Sequence, residues 1–232
     1  MLLNILLGLL GLLGRLGLLG LLGLLGALLA QPGVLLAQHV VISARAGLIT
    51  YVGNMDLEID DHIGEGNEIR TGRRSRFEAM LGSDTYVRMR NGAAIVLENE
   101  ALDNTALRLV RGSTIINARK VDSDFPIRVL IGDLEFSIQK DGLYLFDQSS
   151  VTVLDGELRV NSTQGHFSDT RLQKDRSLVQ SEDSGLFQEE RVEDTSDIDS
   201  LPLVRWSRQR TEQLTPDPVF RKGRRSGRRS RF

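Results

Sequence analysis

Apolar and polar side chains alternate with a period of two between residues 39 and 160, and turn-forming residues interrupt the alternation every few positions. Leu57 and Ile59, for example, alternate with three carboxylates. Such alternation is typical of half-buried strands with one wet face. Turn pairs such as Asn-Gly at 91–92 and Asp-Gly at 141–142 suit the positive φ angles of tight hairpins. The pattern predicts an all-β domain, either a sandwich or a rolled β stack of many short strands.

The same alternation assigns an inward face to each strand. The positions that we expect in the core are Phe77, Ala79, Leu81, Val87, Met89, Ile95, Leu97, Leu107, Leu109, Thr114, Ile116, Ala118, Val129, Ile131, Phe136, Ile138, Leu143, Leu145, Val151, Val153, Leu158 and Val160. Aromatic residues make up only 5% of the chain and hydrophobic residues 41%, so the core must be mainly aliphatic. The 232 residues include no Cys, which excludes disulfides, thiolate metal sites and a Cys nucleophile.

Residues 1–37 consist almost entirely of Leu and Gly, with one positive charge at Arg15. An apolar run at 16–30 and small residues near Ala37 follow this charge, which is the order of a secretory signal. The segment is also long enough to cross a bilayer as a retained anchor helix, because about 20 apolar residues suffice. We therefore expect an exported protein. It is periplasmic or extracellular if the segment is removed, and membrane-anchored facing the periplasm if it is kept.

The C-terminal part of the chain divides into three segments. Residues 181–200 are acidic and poor in apolar side chains, which is typical of a solvated linker. In residues 201–215 an early Pro and apolar side chains at helical spacing predict a short helix around Trp206. Trp206 either packs as an apolar side chain where this helix docks on the sheet, or stacks on a ligand. Residues 216–232 carry seven of the 29 basic residues and predict a disordered tail.

The basic tail at 221–232 has two interpretations. It attracts anionic lipid or acidic polysaccharide, or it only keeps the chain in solution. Nucleic acid is not an expected partner of an exported chain. Apart from the tail, we expect membrane contact only through residues 1–37, and only if that segment is retained.

The β region carries short motifs made of turn glycines and inward apolar residues. Residues 66–72 read GNEIRTG, residues 107–113 LRLVRGS, residues 141–147 DGLYLFD and residues 151–157 VTVLDGE. These motifs resemble those of the FecR domain, an all-β extracytoplasmic domain known from iron-uptake signalling. Asn67 stands where that family prefers Asp.

The resemblance covers about residues 41–179 and implies a FecR-like domain at 38–180. Residues 205–208, RWSR, resemble an element near the end of some secreted proteins that carry this domain. The family's turns and core positions then fall on Gly66, Ile69, Thr71, Gly72, Gly112, Gly142 and Trp206.

The resemblance implies a non-enzymatic binding and signalling role in the cell envelope, with an envelope protein as partner. Sensor-type members of the family control a sigma factor through a folded cytoplasmic segment before a single membrane span. Only the Leu/Gly run precedes the β domain here, so the resemblance does not extend to direct control of a sigma factor. The alternative is an envelope protein that binds carbohydrate or another cell-surface polyanion through its basic tail.

The residue pattern predicts no catalytic, cofactor-binding or metal-binding residues. His39, His62 and His166 have no Ser or acidic partner at a recognised motif spacing. Residues 60–62, Asp-Asp-His, are better explained as a solvated turn than as a metal site, because no second ligand pair follows them.

Four arginines are the candidate partner-binding residues. Arg70, Arg73, Arg74 and Arg76 cluster within seven residues and predict a contact patch for an acidic partner, with a solvated turn as the alternative. The expected binding mode is strand addition at a sheet edge, which uses backbone hydrogen bonds and few special side chains.

Overall fold

The computed structural model describes residues 40–46, 49–51, 61–82, 84–163 and 165–214. The segment expected to be a signal or anchor, at 1–37, and the basic tail, at 216–232, both lie outside the described residues. Leu57, Ile59 and His39 also lie outside them. Within the described part of the chain, none of the helices is long and apolar enough to cross a membrane.

Short strands make up most of the described chain, as the alternation predicts. In chain order they are β1 (Val40–Ala46), β2 (Ile49–Tyr51), β3 (His62–Ile63), β4 (Glu68–Thr71), β5 (Arg76–Met80), β6 (Tyr86–Arg90), β7 (Ala94–Asn99), β8 (Ala106–Arg111), β9 (Thr114–Ala118), β10 (Ile127–Ile131), β11 (Leu134–Ile138), β12 (Gly142–Phe146), β13 (Ser150–Asp155), β14 (Glu157–Ser162), β15 (Thr170–Gln173), β16 (Arg176–Gln180) and β17 (Phe187–Arg191). Two helices follow, α1 (Ser196–Ser200) and α2 (Pro202–Leu214).

The strands form a sandwich of two sheets. The larger sheet has the order β17-β16-β13-β12-β9-β6-β5-β1-β3, and the smaller sheet has the order β15-β14-β11-β10-β8-β7-β4-β2. From β5 onward the chain places hairpins alternately in the two sheets, with β9 as a single strand between two hairpins. Among the described strands, β8 and β10 pair in parallel and the other pairs are antiparallel. The chain therefore adds strands to the two sheets in turn as it proceeds along the sandwich. This two-sheet architecture confirms the all-β prediction.

Side chains from both sheets meet in one apolar core. All but two of the predicted core positions are buried, from Phe77 near the start to Val160 near the end. The two exceptions lie on β12, where Tyr144 and Phe146 face the core and Leu143 and Leu145 are half-buried on the other side. The prediction was one residue out of register there, because both faces of β12 are covered and its sequence lacks a polar side.

The acidic segment 181–200 contains regular structure that the sequence did not predict. It holds strand β17, which pairs with β16, and the short helix α1. Backbone pairing needs few apolar side chains, and Phe187 alone packs against the core from β17. The prediction of a solvated linker does not account for this strand and helix, although most side chains of the segment are exposed as expected.

Candidate interaction surfaces

Arg70 lies on the outer side of the smaller sheet. It is exposed on β4, between the buried residues Ile69 and Thr71. Its Nε donates to Glu68 Oε1 at 2.6 Å and its Nη2 donates to Glu68 Oε2 at 2.8 Å. These hydrogen bonds lower the pKa of the Glu68 carboxyl. Arg70 is thus already engaged by a neighbour on its own strand.

The other three candidate arginines follow on the connection to the larger sheet. Arg73 and Arg74 are exposed in the turn between β4 and β5, which Ser75 closes by donating its N–H to Gly72 O at 3.3 Å. Arg76 starts β5 and holds its guanidinium over the Trp206 ring, 5.7 Å from the ring centre. Arg70 and Arg76 therefore lie on the outer sides of opposite sheets, and the four arginines do not share one face.

The first motif, residues 66–72, links three neighbouring strands of the smaller sheet. Gly66 donates its N–H to Leu97 O at 2.7 Å, and Leu97 donates back to Asn67 O at 3.1 Å. Ile69 is buried in the core. The Thr71 hydroxyl accepts from the backbone N–H of Ala93 at 3.0 Å.

Gly112, from the second motif, packs against Ala93, the residue that Thr71 also contacts. It has a φ of +68°, and a Cβ there would stand 3.0 Å from Ala93 Cα. The spacing of these two motifs is therefore explained by packing and backbone bonding within the sheet.

The third and fourth motifs meet around the Tyr144 hydroxyl. The hydroxyl oxygen lies 2.8 Å from Lys140 O and 3.1 Å from Glu157 O. A Cβ at Gly142 would stand 2.6 Å from this oxygen, and one at Gly156 would stand 2.4 Å from it. Both positions therefore need glycine. Burial raises the pKa of Tyr144 to about 12.

The outer side of the larger sheet is covered by α2. Leu203, Val204 and Trp206 on the helix pack against Ile115 and Leu154 of the sheet. Trp206 is only 8% exposed. This contact leaves little of its ring free to stack on a ligand.

A buried ionic cluster lies beneath the same helix. Glu78 and Arg88 are fully buried, and Arg88 Nε donates to Glu78 Oε2 at 2.6 Å. Arg210, on α2, donates from Nη2 to Glu78 Oε1 at 2.7 Å. Arg88 Nη1 also donates to the Ser207 hydroxyl on α2 at 2.8 Å. Burial lowers the pKa of Arg88, while the bond with Glu78 raises the pKa of Arg210. The sequence did not indicate this cluster. Glu78 and Arg88 alternate with apolar residues, as side chains on a solvent-exposed strand face do.

An open cleft of about 720 Å³ lies beside α1 and α2. Its lining includes Asp155, Lys174, Asp199 and Arg208. Arg208 Nη2 lies 2.6 Å from Asp199 Oδ1, and Lys174 Nζ lies 3.8 Å from Asp155 Oδ1. Across the whole lining, five carboxylates face three basic side chains, so the cleft favours a cationic over an anionic ligand.

Strands β15 and β17 lie at the same end of the sandwich and form the last strand of their respective sheets. Within the described residues, no further strand pairs with either of them. Each therefore presents one row of backbone groups that has no partner strand. Such an edge is a template for pairing with another chain.

Few side chains of the described residues suggest chemistry. His62 and His166 are exposed, and no group of three or more His, Asp or Glu in the described ranges is arranged to hold a metal ion. The candidates that remain are interaction surfaces: the arginine turn, the cleft and the edge strands of the two sheets, which among the described residues are β15 and β17 at one end and β2 and β3 at the other.

No protein-family profile matches the chain, and no curated protein matches it. Two crystal structures of a "putative anti-sigma factor" from Parabacteroides distasonis ATCC 8503, at 2.50 Å and 1.65 Å, are similar to it. They are 16% and 15% identical to it, each with a TM-score of 0.47. Each match covers 56% of this chain and 62% of that chain, so the chain spans less than two thirds of their length. At this level the similarity supports no argument about function, and the resemblance to the FecR family rests on the motifs alone.

Proposed function

We propose that this chain is a non-enzymatic binding and signalling protein of the bacterial envelope, whose FecR-like domain engages an envelope protein. The observation that carries this proposal is the pair of open strand edges, β15 and β17, at one end of the sandwich. An edge binds an extended segment through backbone hydrogen bonds and needs no special side chains. This fits a sequence in which turns and core positions stand out and catalytic groups do not.

The signalling part of the proposal rests on the motif resemblance, and the location rests on residues 1–37. Both an export signal and a retained anchor place the β domain outside the cytoplasm. The partner is then a protein of the same compartment, either the signalling domain of a receptor or another component of the envelope.

Cross-linked affinity capture tests the proposal. The full chain serves as bait in an envelope extract, and the products are identified by mass spectrometry. We expect a membrane receptor or an inner-membrane regulator among them. Recovery of wall polymer alone, released by salt, would contradict the proposal. It would favour instead a polyanion-binding protein that uses residues 221–232, and deletion of those residues should then abolish recovery.

The turn that holds Arg73 and Arg74 is proposed as an ionic contact for an acidic part of the partner. It cannot serve for strand addition, because β4 and β5 each have a neighbour on both sides. Replacement of Arg73 and Arg74 by Glu should weaken capture without changing the fold, since both side chains are exposed. The matched control makes the same Arg-to-Glu replacement at Arg70, which is bonded to Glu68 on its own strand. Unchanged capture by the Arg73→Glu, Arg74→Glu variant would remove the turn from the interface.

A further inference from the structure

We propose that β17 is the docking edge and that it takes an extended basic segment of a protein, with one apolar side chain seated beside Phe187. This inference rests on the proposed function, since it names the edge and the chemistry of the segment that binds there. Three features carry it: the backbone of β17, the charges around it and a cavity at its N-terminal end.

The hydrogen bonds at both ends of β17 determine which of its backbone groups point outward. Ser181 donates to Leu186 O at 2.9 Å before the strand, and Val192 donates to Asp175 O at 2.9 Å after it. Residues of an antiparallel pair alternate between bonded and non-bonded positions. In the observed register, Gln188 and Glu190 bond to β16. The backbone groups of Phe187, Glu189 and Arg191 therefore point away from the sheet, where no described strand meets them.

The charges around this edge favour an incoming strand that carries positive charge. Residues 181–194 contain six carboxylates and one Arg. Glu189 and Glu190 are exposed on the strand itself, and Glu189 Oε1 also lies 3.6 Å from Arg176 Nη1 on β16. Like charges that face one another across two strands are destabilising, so the edge opposes pairing with a second copy of itself. Lys or Arg in a partner strand would instead meet complementary charge, which raises the rate and specificity of association.

A cavity of about 390 Å³ lies at the N-terminal end of β17. Leu134, Phe167, Leu186 and Phe187 form its apolar wall. Leu186 is 47% exposed, which is high for a large apolar side chain. A strand added to β17 passes this cavity beside Phe187, where an apolar side chain would cover Leu186. Backbone bonds along the edge would supply affinity, and this pocket would supply specificity.

Strand β15 provides a matched comparison at the same end of the sandwich. Its four residues, TRLQ, include Arg171 and no carboxylate. Lys174 donates to Gly156 O at 3.1 Å just after the strand, so the same alternation directs the backbone of Arg171 outward. An edge of opposite charge is therefore available as a control, and we expect it to reject a basic strand.

Fluorescence anisotropy with synthetic peptides tests the inference on the full chain. The basic probe is the labelled peptide LTKVKVKT, which alternates Lys and Val behind an apolar anchor, and the acidic probe is LTEVEVET. We expect the basic probe to bind and the acidic probe to bind at least about tenfold more weakly, a difference that corresponds to one hydrogen bond to a charged group. The peptide STKVKVKT, which lacks the anchor, should also bind more weakly.

Backbone-specific variants separate strand addition from charge attraction. Glu189→Pro removes an outward N–H, and Glu189→Ala removes the same charge but keeps that N–H. We expect the Pro variant to lose binding of the basic probe and the Ala variant to keep most of it. Arg171→Pro on β15 should leave binding unchanged. If Glu189→Pro does not fold, the double variant Glu189→Lys, Glu190→Lys replaces it, and its preference should reverse to the acidic probe.

Equal binding of both probes, retention of binding in a folded Glu189→Pro variant, or failure of both probes to bind would overturn the inference. Other combinations of results distinguish a failure of this inference from a failure of the proposed function. Capture of an envelope regulator together with no peptide binding would refute only the choice of β17. Peptide binding together with recovery of wall polymer alone would refute the proposed function and leave β17 as a peptide-binding edge.

Discussion

Two ion pairs in this protein have nearly the same geometry and opposite surroundings. In the larger sheet, Arg88 Nε lies 2.6 Å from Glu78 Oε2, and both side chains are fully buried beneath α2. In the smaller sheet, Arg108 Nε lies 2.6 Å from Glu98 Oε1, but these side chains are 43% and 33% exposed. Each pair spans one hairpin and ten positions of sequence. The difference between them comes from the helix that covers only the first pair.

The comparison shows how one sequence pattern has two structural uses. Taking two charges out of water is unfavourable unless further bonds satisfy them. The first pair receives these bonds from Arg210 and Ser207, both on α2. Glu78 and Arg88 therefore direct α2 to one place on the sheet. The exposed pair stays solvated in the folded protein and contributes little to stability, as most surface ion pairs do.

The largest expected effect follows from Glu78→Gln. This change leaves the guanidinium groups of Arg88 and Arg210 without their carboxylate, and breaking a buried pair in this way costs about 3–5 kcal/mol. The free energy of unfolding, measured in urea, should fall by that amount. Trp206, the only Trp in the chain, should report the release of α2 through a red shift of its fluorescence. A loss below about 1 kcal/mol would mean that the buried cluster behaves like a surface pair.

An intermediate effect is expected from the buried hydroxyl of Tyr144. Its pKa is about 12 in the folded protein and about 10 in an unfolded chain, so the folded state holds the proton more tightly. The stabilisation is complete below pH 10 and is lost as the pH rises towards 12, by about 3 kcal/mol in total.

Comparison with Tyr144→Phe isolates this effect. The variant should show a smaller fall in the free energy of unfolding between pH 10 and 12 than the natural chain, because it has no proton to lose there. Identical pH profiles for the two chains would show that the hydroxyl ionises freely in the folded state.

The smallest effect is expected from Glu98→Gln, the exposed counterpart of the first change. Water replaces the lost bond to Arg108, so the free energy of unfolding should fall by less than about 1 kcal/mol. The measurement is the same urea titration, repeated in high salt, where the difference between the natural chain and the variant should shrink further. A loss as large as that of Glu78→Gln would refute the role assigned to α2.

The sequence predicts the sandwich well where one strand face is wet. On β14, the alternation of Leu158 and Val160 with polar neighbours indicates the inward face correctly. It gives the wrong register on β12, because α2 covers the second face and Leu143 and Leu145 look like core residues. It also cannot distinguish Glu78 from a solvated carboxylate, since burial depends on where a helix more than 100 positions later docks.

The site is less predictable than the fold. The arginines at 70–76 stand out in the sequence, but the structure distributes them over two opposite sides of the sandwich. Strand β17 gives almost no signal, because its side chains are acidic and its pairing depends on backbone groups that every residue has. An acidic segment of this kind resembles a linker until its register with β16 is known.

Residue-resolved hydrogen exchange of the full chain, with and without the peptide LTKVKVKT, tests the central claim most directly. The amides of Gln188 and Glu190 already bond to β16 and should change little on binding. Those of Phe187, Glu189 and Arg191 point outward and should become protected when a strand is added. Protection at these three amides is the predicted result. Protection confined to the turn at 72–75, or no change in β17, would contradict binding by strand addition at this edge.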